Sequence, residues 1–130
     1  MESIISTNNL YNGGFSETIF KNPTTKLNYT ELVKEIAEET ESYWLLDVIA
    51  SYQFQLKNEE FQVWKLERKI TYTEVNDIKI ISERTSTFIV TCEDGNNNIL
   101  VKQKIVYSDF PHDEYVLWYT NNTLLLPSEN

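Results

Sequence analysis

The chain is 130 residues long and carries 11 Lys and Arg against 20 Asp and Glu, a formal net charge of -9. With 41% hydrophobic and 13% aromatic residues and only 3 Gly and 3 Pro, it can bury one sizeable core and is excluded from the disordered, collagen-like and low-complexity classes. Its negative field repels phosphate, which disfavours direct nucleic-acid binding and favours a basic partner.

Residues 1–27 are rich in Asn, Ser, Thr and Gly and show little periodicity beyond Phe15, Ile19 and Phe20. Gly13-Gly14 marks a turn and Pro23 closes the segment. From an N-cap at Asn28 or Thr30, Leu32, Val33, Ile36, Ala37 and Thr40 fall on one helical face, with Glu31, Lys34, Glu35, Glu38, Glu39 and Glu41 on the other. Over residues 43–52, Leu45, Val48, Ile49 and Tyr52 keep the i, i+3, i+4, i+7 spacing, with Asp47 and Ser51 off the stripe. The two stretches form one bent helix or two short ones.

Beyond Lys57 the period falls from 3.6 to 2, and β-branched and aromatic residues replace Glu and Ala. A first strand is predicted over 61–71, with Trp64, Leu66, Ile70 and Tyr72 on one face. Strands over 85–92 and 99–107 flank Asp94-Gly95, a strong hairpin signal. After the break at Pro111, 115–119 and 123–126 form a last hairpin over Asn121-Asn122. Helices first and antiparallel strands after predict an α+β fold in a single domain spanning 1–130. In that fold an N-terminal helix or helix pair packs on a mainly antiparallel sheet of about four to six strands.

The residues that carry chemistry are few. His112 is the one histidine and lies in the polar turn Phe110-Pro111-His112-Asp113-Glu114, which reads as a solvated loop. Cys92 alternates with Phe88 and Val90, as a buried core thiol does. One His and one Cys supply no paired soft ligands, so neither a metal nor any other cofactor is expected. Asp94-Gly95-Asn96-Asn97-Asn98 begins like a calcium loop, but Ile99 stands where Gly is required and Ile105 where Glu is. Lys65, Arg68 and Lys69 with Lys102 and Lys104 make a small basic strip if their strands pair. Asp47, set between Leu46 and Val48, needs a cation if buried, and Arg68 or Lys65 is its candidate partner. Asp109, before Phe-Pro, is placed to accept backbone N–H groups in a turn. The lone thiol, the lack of a basic start followed by an apolar run, and apolar stretches too short to span a bilayer predict a cytoplasmic protein away from membranes.

Four blocks carry a resemblance. They are Tyr43-Trp44-Leu45-Leu46-Asp47-Val48-Ile49-Ala50-Ser51-Tyr52-Gln53, Phe61-Gln62-Val63-Trp64-Lys65-Leu66, Tyr107-Ser108-Asp109-Phe110-Pro111 and Leu124-Leu125-Leu126-Pro127-Ser128-Glu129. In order and spacing the chain resembles a family of small uncharacterised bacterial proteins across most of residues 30–129. Residues 75–83 read as an insertion against it, and the acidic first helix is a second departure. The resemblance implies no activity. It implies a setting among bacteria and their mobile elements.

Three functions are open at this point. The first is a non-enzymatic acidic inhibitor or regulator, of the anti-CRISPR or anti-restriction kind, acting on the basic groove of a nucleic-acid-handling protein. Its partner-binding residues are Glu31, Glu35, Glu38, Glu39 and Glu41 on the first helix and Asp109, Asp113 and Glu114 near the C-terminus. The second is a small-ligand or nucleotide-processing enzyme in which Asp47, Arg68, Asp109 and His112 converge. The third is a self-assembling module, with a homodimer formed through a strand edge or apolar patch at residues 124–126.

Overall fold

The computed structural model describes residues 3–6, 18–21 and 27–130. The turn expected at Gly13-Gly14 and the stop at Pro23 lie outside the described residues. The chain forms two compact units, Met1–Gln62 with Leu117–Asn130, and Val63–Val116.

The first unit opens with strands β1 (Ser3–Ser6), β2 (Thr18–Lys21) and β3 (Asn28–Thr30), followed by helices α1 (Glu31–Glu39) and α2 (Tyr43–Ser51). Thr30 is the N-cap of α1, its hydroxyl accepting the Val33 N–H. The same hydroxyl donates to Glu129 Oε1 at 2.8 Å, and that oxygen also accepts the Leu126 N–H at 2.9 Å. Glu129, in the 3-10 turn Pro127–Glu129, thereby fastens the chain end to the start of α1. Helix α1 ends in a Schellman turn: Ser42 N–H reaches Ala37 O at 2.8 Å, and Glu41 adopts φ 53°. The turn separates the two predicted stretches into two short helices. Helix α2 buries Leu45, Leu46 and Ile49.

Strand β7 (Glu114–Thr120) turns through Asn121 and Asn122, both at positive φ, into β8 (Thr123–Leu125). This is the hairpin expected there, with the left-handed pair that a two-residue turn needs. Strand β8 also pairs in parallel with β3, so the unit's sheet runs β1-β2-β3-β8-β7. In the same unit Gln62 is wholly buried, its amide paired reciprocally with that of Gln53 at 2.9 Å in each direction.

The second unit is built on the antiparallel order β4-β5-β6, from β4 (Phe61–Val75), β5 (Ile78–Glu93) and β6 (Ile99–Ile105). Trp64, Leu66, Phe88, Val90, Cys92 and Val101 are buried on one face, as the period of 2 predicts. The turn at Asp94-Gly95 is where the sequence placed it. Asp94 closes it by accepting the Asn96 N–H at 2.7 Å and the Asn98 side-chain amide at 2.7 Å.

The expected α+β arrangement, helices first and a mainly antiparallel sheet of four to six strands after, is overturned. Three strands precede the helices, the described residues hold eight strands against two nine-residue helices, and the β3–β8 pair makes the pairing mixed. The reason is length: β1, β2 and β3 are three or four residues each, too short for a period of 2 to register. The pairing of β3 with β8 is also long-range, since Tyr29 meets Leu124. Strands β4 and β5 run past their predicted ends because residues 70–84 continue as a two-stranded arm. Residues 75–83, read as an insertion, are its tip, turning through Asn76 and Asp77 at φ 53° and 64°.

Candidate functional site

Two places gather charged side chains. The first is α1. Glu31, Glu35, Glu38, Glu39 and Glu41 are all exposed, as the helical period requires once Val33 and Ala37 point inward. Among the described residues only Glu38 of the five forms an ion pair, with Lys34 Nζ at 2.7 Å, and it also accepts the Tyr43 hydroxyl at 3.1 Å. Both bonds, that from Lys34 first, hold its carboxyl below the ordinary carboxylate range. Glu31 lies in the first turn, but Glu38, Glu39 and Glu41 lie at the C-terminal end of the helix, where no basic residue stands in the last turn. There they oppose the helix dipole.

The second place is the root of the arm, in the other unit. Arg68 sits on the buried face of β4 with 12% of its side chain exposed. Its Nε donates to Asp113 Oδ1 at 3.0 Å, Nη1 to Thr85 O at 2.6 Å and Nη2 to Phe110 O at 2.7 Å, and the guanidinium lies 4.6 Å from the Phe88 ring centroid. Arg84 of β5 reaches the other oxygen of Asp113 at 3.1 Å. One carboxylate thus ties both strands of the arm where they leave the sheet. Beside it is an open depression of about 330 Å³ lined by Glu67, Arg68, Ile70, Tyr72, Asp113 and Glu114.

Asp113 is held below the ordinary carboxylate range, first by its bond from Arg84 and then by Arg68. A lowered folded-state value means that its contribution is complete above the unfolded value near pH 4 and is lost as pH falls through the folded value. Asp113→Asn is therefore expected to destabilise the protein at pH 6 and to change little at pH 2. Urea midpoints of both chains at the two pH values check this, and an equal difference at both would contradict it.

The other expected positions resolve as follows. Glu114 lies 3.4 Å from Lys65, and Asp109 is exposed. The turn at Phe-Pro takes its bond from Ser108, whose hydroxyl oxygen accepts the Phe110 N–H at 3.1 Å. Asp47 is exposed on α2, so the expected pair with Arg68 or Lys65 does not exist; both cations are engaged at Asp113 and Glu114. The helical period explains it, since residues 45, 46 and 49 take the inner face. His112 is exposed and Cys92 buried, each as read.

Of the four residues of the enzyme reading, the depression takes in Arg68 without Asp109 or His112, although Arg68 Nη2 donates to the His112 carbonyl at 3.4 Å. The basic strip is interrupted. Strand β5 intervenes, so that Thr91 separates Lys65 from Lys102 and Ile89 separates Glu67 from Lys104, while Arg68 turns to the opposite face. Among the described residues no cluster of His, Cys, Asp and Glu is arranged to hold a metal ion, and no helix is long and apolar enough to cross a membrane.

A family model matches residues 5–130. The chain belongs to DUF6876, a family of unknown function. No curated protein and no solved structure matches it. DUF6876 membership assigns no chemistry to any residue, so the roles of Arg68, Asp113 and the α1 carboxylates rest on their geometry here.

Sequence reasoning missed Arg68 and Gln62 as organising residues. The signal was present in both cases: each is a polar residue on the even-numbered stripe that also holds Trp64 and Leu66.

Proposed function

We propose that this DUF6876 chain is a binding protein that presents the acidic outer face of α1 to a basic partner. The partner fitted best by this chemistry is the groove of a nucleic-acid-handling protein, where the carboxylates take the place of phosphates. An inhibitor of a bacterial defence nuclease, CRISPR-associated or restriction, is the biological form that this reading takes.

One observation carries it. Three of the five carboxylates, Glu38, Glu39 and Glu41, stand where they disfavour the helix, at its negative end, and Glu41 occupies the left-handed position at which glycine is usual. Conflicts between local stability and sequence cluster where a protein binds or reacts. Folding alone would have placed a lysine in the last turn and a glycine at position 41.

The test is affinity capture from bacterial lysate with the full chain and with a variant carrying Glu31, Glu35, Glu39 and Glu41 as Gln. The wild type is expected to recover a basic nucleic-acid-binding protein at low salt and to release it as salt rises. The variant, with a Tm equal to or above that of the wild type, is expected to recover none. Recovery of the same protein by both chains would overturn the reading.

A further inference from the structure

Strand β6 ends the order β4-β5-β6 and, among the described residues, is paired on one side only, by β5. Alternate residues of such a strand turn their N–H and C=O groups outward, and neither Gly nor Pro interrupts the seven residues of β6. Lys102 and Lys104 are exposed on it, and neither forms an ion pair among the described residues. Their direct neighbours across the ladder are the uncharged Thr91 and Ile89, while Glu93 stands opposite Ile99 at the start of the strand. Residues 99–107 thus hold two uncommitted cations and no Asp or Glu, in a chain of net charge -9.

We infer that the open edge of β6 takes up an extended acidic segment of a partner protein as an added strand. Main-chain hydrogen bonds hold the segment, and the two lysines select it. Side chains on one face of a strand recur every second residue, about 6.8 Å apart. Lys102 and Lys104 therefore match an acid-x-acid pattern on the incoming strand, each acid directly opposite one lysine. Ile99 at 58% exposure and Val106 at 75% flank the lysines and favour apolar residues on either side of that pattern.

Charge complementarity decides among the occupants. A second copy pairing antiparallel along the whole of β6 sets Lys102 opposite its own counterpart, which like charges disfavour, and supplies no carboxylate to Lys104. Lysines on an open edge thus guard it against self-pairing while admitting a strand of opposite charge. Nucleic acid meets the two cations but has no peptide backbone to pair with the edge. The edge lies in Val63–Val116 and α1 in the other unit, so this contact uses other residues than the one proposed for α1 and takes the opposite charge.

The test is fluorescence anisotropy of a labelled peptide, Val-Thr-Glu-Val-Glu-Thr-Val, titrated with the full chain. Saturable binding that weakens as salt rises is expected. The double variant Lys102→Glu, Lys104→Glu is expected to bind about tenfold more weakly or less, while Lys57→Glu, Lys79→Glu, with the same net charge, binds as the wild type does. A peptide with Lys in place of both Glu is expected to reverse the order, binding the first double variant better than the wild type. A second readout needs no protein variant. The acidic peptide N-methylated at its three central residues keeps its charges but loses the N–H groups that pair with an edge, and it is expected not to bind. No binding of the acidic peptide, equal binding by the wild type and Lys102→Glu, Lys104→Glu, or equal binding of the N-methylated peptide would overturn the inference. A labelled DNA trinucleotide that binds the wild type more tightly than the peptide would do the same.

Discussion

Arg68→Ala is expected to lower the stability of the protein by about 2–4 kcal/mol, because a nearly buried guanidinium leaves several acceptors without a donor, although its partner carboxylate on Asp113 is partly exposed. That is a large share of the stability of an ordinary domain of this size. The guanidinium serves the Asp113 carboxylate and the carbonyls of Thr85 and Phe110 at once, while resting on the Phe88 ring. Deleting it leaves those acceptors without their donor beside a hydrophobic core. Arg68→Lys is expected to recover less than half of the loss. An ammonium is a point donor and cannot span acceptors placed around a planar fork. Urea unfolding of the three chains measures both effects, and full rescue by Lys would contradict this account of the site.

Phe110→Ala has a second large expected effect, a loss of about 3–5 kcal/mol. The ring is 1% exposed, meets Phe88 edge-on at 6.1 Å between centroids, and stacks on Tyr115 at 5.6 Å and 22°. Truncation opens a cavity and frees the segment whose carbonyl Arg68 holds. The two substitutions act on one unit, so the double variant is expected to lose less than the sum of the single losses, with a coupling of about 0.5–3 kcal/mol. Additive losses in urea unfolding would mean that Arg68 and Phe110 work independently.

Legibility followed the length of the repeating signal. Helix α1 shows more than two turns of alternating Glu and apolar residues, and its five Glu are exposed as the period predicts, although Leu32, expected on the inner face, is exposed as well. The hairpins at Asp94-Gly95 and Asn121-Asn122 could be read because their turns demand residues that tolerate positive φ. Strand β3 could not: Asn28-Tyr29-Thr30 has no period of its own, and the strand exists because β8 and β2 lie on either side of it. The misreading of Asp47 came from applying local sequence neighbourhood where helical period decides, since Leu46 and Val48 flank it in sequence but not on one face.

The arm shows a different kind of illegibility. Its residues are good strand formers, but nothing in their order reveals that β6 and β7 end short of them, so that residues 71–84 stand outside the core. The site at its root could be found only by asking why an arginine interrupts a stripe of Trp64, Leu66 and Ile70. The self-assembling reading placed its edge at residues 124–126. Strand β8 is instead paired on both sides, and Leu124 is fully buried.

The most direct test of the proposed role is competition with nucleic acid. The basic protein captured from lysate is mixed with a fluorescently labelled DNA or RNA that it binds, and anisotropy is followed as the chain is added. The account predicts that the wild type displaces the nucleic acid in a salt-dependent manner and that the four-Gln variant of α1 does not. Unchanged anisotropy with the wild type, or equal displacement by the variant, would contradict it.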